Sequence, residues 1–520
     1  MAALFLAAGP ALAADSDAIL DGFEANGDVE AVLEAARGME RTDRADLMRA
    51  AADRLGRPGG SGADFTELIE LIQFNTGESV GWQDIDGQGG VVRQYVNGID
   101  VDPLGRLSRI AEVDRSGELA VKARMIREAA ADVTSVDVAG LRVVSLTKLE
   151  RAVATFVDAG EPVPADMRYM AGLTGVSHVF LDEAGGDLLI AGPAERFAMT
   201  REGQVVGTTS GRPVLHLDDL VTILRVFSDG GADAFNCLIV PRSSGVVAVQ
   251  QFAAESAARG PLRGRGATKR FAREIEARLG RQDVEVNGVP AHSRVARVIV
   301  EADYLMKLVG VDREQYPGVA SYFDLLDGST PVATQALRWW LSVRYDAVTH
   351  DESRTAFAFS GPAVLCRSED EFLAADGSQI HTNKSTGANR AFANGFTAAY
   401  ERLCEEEPAF ADLRNVFDIA LAAAVIRRDR LDVRAGWDRG CFAADGLYMP
   451  AIYAPAREVD SVVNYRVYSG GNVVVQAAGG VDGRMGNVLA ATPAVVSDRV
   501  AVTAEQAISA AGDRWYWDAE

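Results

Sequence analysis

Four cysteines, five histidines and one dense run of arginine and lysine are the residues with which this 520-residue chain could do chemistry. The run RGPLRGRGATKRFAREIEARLGR, Arg259 to Arg281, sets eight basic residues against Glu274 and Glu276. Acidic residues outnumber basic ones 74 to 52 in the whole chain, for a formal net charge of -22, so the run is a local field of opposite sign. Arg263, Arg265, Lys269 and Arg270 within it are expected to dock an acidic partner, either an envelope polymer or an acidic protein surface. The plainer reading is a solvated helix face after a glycine-rich loop. The run lacks the GxxxxGK[ST] order of a phosphate-cradling loop.

His178, His216, His292, His350 and His381 lie far apart, with no HExxH, HxH or i,i+4 pair, so no local zinc site is expected. Cys237, Cys366, Cys404 and Cys441 show no CxxC spacing. An even count in an exported chain permits disulfides with three connectivities, and four buried thiols are the equal alternative in a chain too long to need staples. For nucleophilic catalysis the pairing to weigh is Cys237 with His216 or His292. A catalytic thiolate needs a cationic neighbour and partial exposure, whereas FNCLIV reads as an apolar strand, which favours a structural thiol. No GxSxG elbow presents a serine. DIDGQGG places Asp84, Asp86 and Gly89 as in a calcium loop, but Gln88 weakens the third ligand position and Tyr95 stands where the bidentate glutamate belongs. A glycine-rich turn is the better reading. No catalytic set, metal or cofactor is therefore expected.

Two aromatic residues invite a binding reading. Trp339 and Trp340 follow Arg338, and neighbouring strand residues point to opposite faces, so one indole is expected inside and the other partly outside. Core packing competes with a sugar- or peptide-stacking platform here, and is favoured.

These residues need elements to position them. Residues 292–309 read as a helix, with Val295, Val298, Ile299, Ala302, Leu305, Met306 and Val309 on one stripe. Asp303 and Lys307, in the tract EADYLMK, form an i,i+4 pair expected on the exposed face, worth about 0.2–0.5 kcal/mol. Upstream, Thr147 and Glu150 have the spacing of a capping box opening TKLERAVATFV. VSHVFL and DLLIA read as strands joined at Gly185-Gly186. LDDLVTILRVF reads as a helix capped by Asp218 or Asp219. Downstream, RYDAVTHDESRTAFAFSGPAVLC reads as two or three antiparallel strands, followed by two helices separated at Pro408. VDSVVNYRVY, NVVVQAAGG and RVAVTAE read as strands.

The fold class that results is mixed α/β (α+β): several small modules, a helical N-terminal segment and a β-rich C-terminal part. The expected divisions are a signal-like segment 1–14, a helical segment 15–57, a small α/β module 62–135, a central region 141–345 and a C-terminal α+β region 346–520. The start MAALFLAAGPALAADSD has the apolar run and Ala-Leu-Ala site of a secretory signal without its basic lead. The periplasm or the extracellular space is the expected destination. Elsewhere the longest apolar run, IALAAAVI, is far too short to cross a bilayer. The acidic charge argues against broad binding to nucleic acid or anionic lipid.

EADYLMK, with SYFD (Ser321 to Asp324), RWW, VVSLTKLERAV, the run from DLLIAGPAE to TSGRPVLHLDDLV, GVPAHSRVARVIVEADYLMKLVG, PAFADLRNVFDIA, and VDSVVNYRVY with AAGGV, resembles a bacterial, planctomycete-type family of exported proteins. That family carries a domain of unknown function, number 1598. The resemblance spans roughly residues 62–485. It implies export, and it implies no activity, cofactor or catalytic residue. The function expected is a non-enzymatic structural or binding component of the cell envelope; the alternative is an envelope hydrolase whose site is assembled from dispersed residues.

Overall fold

PAFADLRNVFDIALAAAVIRR forms the helix Pro408–Arg428, which is buried on nearly every side from Ala409 to Ile426. A helix buried all round lies inside the protein, where its polar residues need partners, and the larger part of the chain is built about this one. The computed structural model describes residues 91–95, 98–102, 139–200, 204–260, 262, 265–326, 333–373, 379–382, 384–385, 387–453, 455–468 and 471–519.

Two compact units divide the chain, Met1–Val133 with Met199–Gln204, and Thr134–Ala198 with Val205–Glu520. In the first, strands Val91–Tyr95 and Gly98–Asp102 form an antiparallel hairpin. The signal-like segment, the helical segment 15–57 and the rest of the 62–135 module lie outside the described residues, as do Asp84, Asp86 and Arg263.

The second unit stacks helices and two sheets in alternating layers. An eight-stranded sheet runs Gln379–His381, Ala363–Leu373, Ala333–Arg344, Gly471–Asp482, Asn236–Pro241, Arg281–Asn287, Glu458–Asp460, with Val462–Tyr468 also paired to Gly471–Asp482. At its centre Ala333–Arg344 and Gly471–Asp482 are parallel. A seven-stranded sheet runs Ala494–Val496, Ala347–His350, Ala356–Ser360, His178–Asp182, Asp187–Ala194, Ala139–Ser145, Tyr516–Ala519. Between the sheets lie helices Leu146–Ala159, Leu217–Val226, Arg294–Gly310 and Pro408–Arg428, sharing one continuous core. The alternation of strand side chains decides which layer each face meets. Val473, Val475 and Ala477 face the inner helices, while Val474 meets Val246, Phe271 and Ile275 of the outer helices Ser243–Ala258 and Arg265–Leu279.

The fold is mixed α/β, but its parts interleave. Strands from either side of residue 345 share both sheets, so the expected division between 141–345 and 346–520 is not a boundary in the structure. Hydrogen bonds between strands distant in sequence cost little extra loop entropy, and nothing in the local pattern records them. RVAVTAE is a second correction. Residues Asp498–Ser509 are a helix opened by Ser497, whose side chain accepts from Arg499 N, and Val500, Ala504 and Ala507 pack on the outer face of the seven-stranded sheet.

Candidate functional site

The signature tract carries its charges inward. Helix Arg294–Gly310 opens at Ser293, whose Oγ accepts from Ala296 N at 3.1 Å. It lies between Gly471–Asp482 and Pro408–Arg428, and Asp303 and Lys307 are wholly buried. Lys307 Nζ stands 3.0 Å from Asp303 Oδ2, an ion pair with no well-formed hydrogen bond. The other carboxylate oxygen accepts from Gly480 N. A Cβ at Gly479 would collide with Asp303 Oδ1, so Gly479 of AAGGV leaves the space the carboxylate occupies. Burial pushes the Asp303 carboxyl up, against the pull of Lys307. The expected exposed pair is thus corrected. Steps of four from Val295 read Ile299, Asp303 and Lys307, so both charges stand on the buried stripe; Glu301 alone of the three is exposed.

A second buried constellation joins segments far apart in sequence. Arg294 pairs with Asp219 through one guanidinium nitrogen, and with Asp412 Oδ1 at 2.6 Å through another. Asp218 or Asp219 was expected to cap its helix. Instead helix Leu217–Val226 begins after His216 and no side chain caps it. Asp219 turns inward to Arg294, while Asp218 accepts from the Tyr448 hydroxyl at 2.8 Å. Burial, partly offset by Arg294, lifts the Asp219 carboxyl to about 6. The Asp418 carboxyl is lifted to about 6 as well, by burial, with Arg414 opposing and the Tyr345 hydroxyl donating to it. Capping at Leu146–Ala159 also differs. Ser145, not Thr147, accepts from Lys148 N, and Glu150 is drawn away to accept from Cys441 N at 2.7 Å. Sequence reasoning missed the triad. The available signal was a charged residue just inside each helix start, at Asp219, Arg294 and Asp412.

The cysteines are free thiols; Cys237, Cys366 and Cys404 are buried and Cys441 half-buried. Burial raises all four, Cys404 and Cys441 to about 12. Asp303 raises Cys237 further, the reverse of what activates a nucleophile. Cys237 and Cys366 also sit three strands apart in one sheet, a separation of about 14 Å and out of reach of a disulfide. The histidines are dispersed. His178 Nδ1 meets Ser177 Oγ at 2.8 Å, and burial lowers the ring to about 4. His216 packs edge-on to Tyr169 and is pushed down by burial and by Arg294. His350 bonds to the Asp351 carbonyl, and His292 is exposed. His381 ends the strand Gln379–His381. Among the described residues no group of three or more histidine, cysteine or acidic residues is placed to hold a metal ion.

The tryptophans divide between the faces of their strand. Trp339 is fully buried, donates from Nε1 to Asn389 Oδ1 at 2.6 Å and lies against Phe392. Gly310 is the gap that admits it, since a Cβ there would collide with the indole. A two-tryptophan platform is therefore excluded. Trp340 is half-buried under the Arg338 guanidinium, 5.0 Å from the ring centroid.

The basic run is the part left facing outward. Helix Arg265–Leu279 buries Thr268, Phe271, Ala272, Ile275 and Leu279. Arg265, Lys269, Arg270 and Arg273 are exposed on the opposite side, and among the described residues no ion pair engages them. Its glutamates are already matched, Glu274 with Arg278 and Glu276 with Arg313. The first turn holds no acidic residue and opens with Arg265, which adds to the positive end of the helix dipole rather than offsetting it. The arrangement can hold an anion at the surface. The buried charges hold the layers together.

Among the described residues no helix is long and apolar enough to cross a membrane. No curated protein and no solved structure matches the chain. One family does: residues 237–322, from Cys237 through the basic helix and the signature helix to Tyr322, match the family described as a protein of unknown function (DUF1598), and the chain carries that domain.

Proposed function

We propose that the protein is an exported, non-enzymatic binding component of the cell envelope that docks an acidic partner through the outer face of helix Arg265–Leu279. The observation that carries this is the set of exposed cations, with Arg265, Lys269 and Arg270 left without ion pairs among the described residues in a chain of net charge -22. A lone cation in the first turn of a helix, as at Arg265, destabilises it by about 0.3–1 kcal/mol, and an anionic partner offsets that penalty. Export rests on the signal-like start. The perturbed groups inside the fold, Asp219, Asp303 and Asp418, each have a cation or hydroxyl partner, which supports a structural use for them.

The test is capture from native envelope under mild cross-linking, with the mature protein and an Arg265→Gln/Lys269→Gln/Arg270→Gln variant. The variant is expected to lose the partner that the parent captures. If it keeps every partner, docking through this helix is wrong.

A hydrolase remains the second reading because of one place. Asp218 is half-buried, its carboxyl raised by burial, against the Tyr448 hydroxyl and two residues after His216. Turnover in an unbiased hydrolase screen, abolished by Asp218→Asn, would favour it.

A further inference from the structure

Resting on the docking reading, we infer that the partner is a linear acidic polysaccharide, one carboxylate or sulfate per repeat, lying along helix Arg265–Leu279. Arg265, Lys269 and Arg273 are successive i,i+4 positions. Each step rises about 6 Å and drifts about 40° round the axis, so the three form a shallow stripe about 12 Å long. Arg270 flanks it on the side away from the buried face. A row of charges at that spacing suits a chain with an anion on each successive unit better than it suits a single compact anion. The stripe is locally cationic because the nearest acids are spent on internal partners: Glu274 on Arg278, Glu276 on Arg313 and Glu255 on Arg259. At physiological salt the remaining negative charge of the molecule is screened beyond about 8 Å.

The alternatives fit the surface less well. Single-stranded nucleic acid needs exposed ring faces for base stacking. The helix has one aromatic residue, Phe271, which is buried; Phe252 is stacked on it at 5.2 Å and covered by Arg278 at 4.3 Å. A protein partner needs an apolar or aromatic anchor at the centre of its footprint. The outward positions here are Arg265, Gly266, Lys269, Arg270, Arg273, Glu274, Ala277 and Arg278, with no apolar side chain larger than Ala277 to anchor.

The test uses the full chain and galacturonate oligomers of defined length, with polyglutamate and single-stranded DNA as comparisons, by calorimetry at two salt concentrations. Affinity is expected to climb from the monomer to about four units and then level. It should fall at least about tenfold in Arg265→Gln/Lys269→Gln/Arg273→Gln, with a flatter salt dependence as fewer counterions are released. These positions are exposed, and an unchanged thermal melt certifies the fold of the variant. Equal molar affinity for the monomer and the tetramer overturns the linear polymer. Tighter binding of polyglutamate or DNA overturns the polysaccharide class. If no galacturonate binds while the glutamine variant of the envelope capture still loses its partner, this inference falls and the docking reading stands. If that variant keeps its partners, the docking reading falls too.

Discussion

Asp303 and Lys307 turn a family marker into a structural device. An exposed i,i+4 pair contributes a few tenths of a kcal/mol, whereas this pair has no access to water. Removing one partner from a buried pair leaves an uncompensated charge and costs about 3–5 kcal/mol, while replacing both with apolar residues of similar volume is often close to neutral. Lys307→Met is therefore expected to lower unfolding free energy by about 3–5 kcal/mol in urea titrations, and Asp303→Leu/Lys307→Met to recover most of that loss. A Lys307→Met loss under about 1 kcal/mol would mean that the pair is solvated after all. The sequence reading set both charges on the exposed face, although steps of four from Val295 and Ile299 reach them. Their burial was not legible, because it depends on Gly479, which leaves room for the carboxylate, and on Gly480, 177 residues from Asp303, whose N–H donates to it.

At the scale of elements, local pattern served where an apolar run or stripe was bounded by turn residues. Helix Arg265–Leu279 and the hairpin His178–Asp182 with Asp187–Ala194 have the character that their spacing suggested. It failed at Asp498–Ser509, where RVAVTAE alternates like a strand. In a strand Val500, Val502 and Ala504 would share a face. In the helix Val502 is 52% exposed and Ala504 is buried. Val502→Lys is expected to shift stability by less than about 0.5 kcal/mol, and Ala504→Lys to cost on the order of 2 kcal/mol or more by burying a charge without a partner. Equal, large losses at both positions would restore the strand.

For the whole molecule, the buried carboxyls set a pH dependence. Asp219 and Asp418 titrate near 6 in the fold, above the ordinary aspartate value of 3.8. The folded state then holds more protons than the unfolded one between those values. Stability from these two groups thus falls as pH rises from about 4 to about 6, by up to about 3 kcal/mol each, and is flat above. Asp324, Asp351 and Asp429 are lowered by hydrogen bonds that outweigh their burial. Their contribution is present above about 3.8 and is lost only as pH drops below it. His178 and His216, lowered by burial, act in the opposite sense over the same range, so the Asp418 contribution is read as a difference between parent and variant. In urea titrations the stability of the parent relative to Asp418→Asn should decline from pH 4.5 to 6.5, since the amide oxygen of the replacement still accepts the Tyr345 hydroxyl proton but does not titrate. A constant difference would place the titration elsewhere.

Composition, periodicity and local spacing by themselves determined the mixed α/β class, the helices with one apolar stripe, the break at Pro408 and the basic run that still faces outward at Arg265, Lys269 and Arg270. Each of these depends on residues within a few turns of one another. Which charges go inside was decided only in three dimensions. Asp219, Arg294 and Asp412 stand about 75 and 118 residues apart and meet because three helices share one layer between two sheets. Trp339 went inward for the same reason, since Gly310 and Phe392 come to it from other parts of the chain. An ion pair or a close-packed indole is a contact between layers, and strand order fixes the layers through hydrogen bonds that the local sequence does not encode.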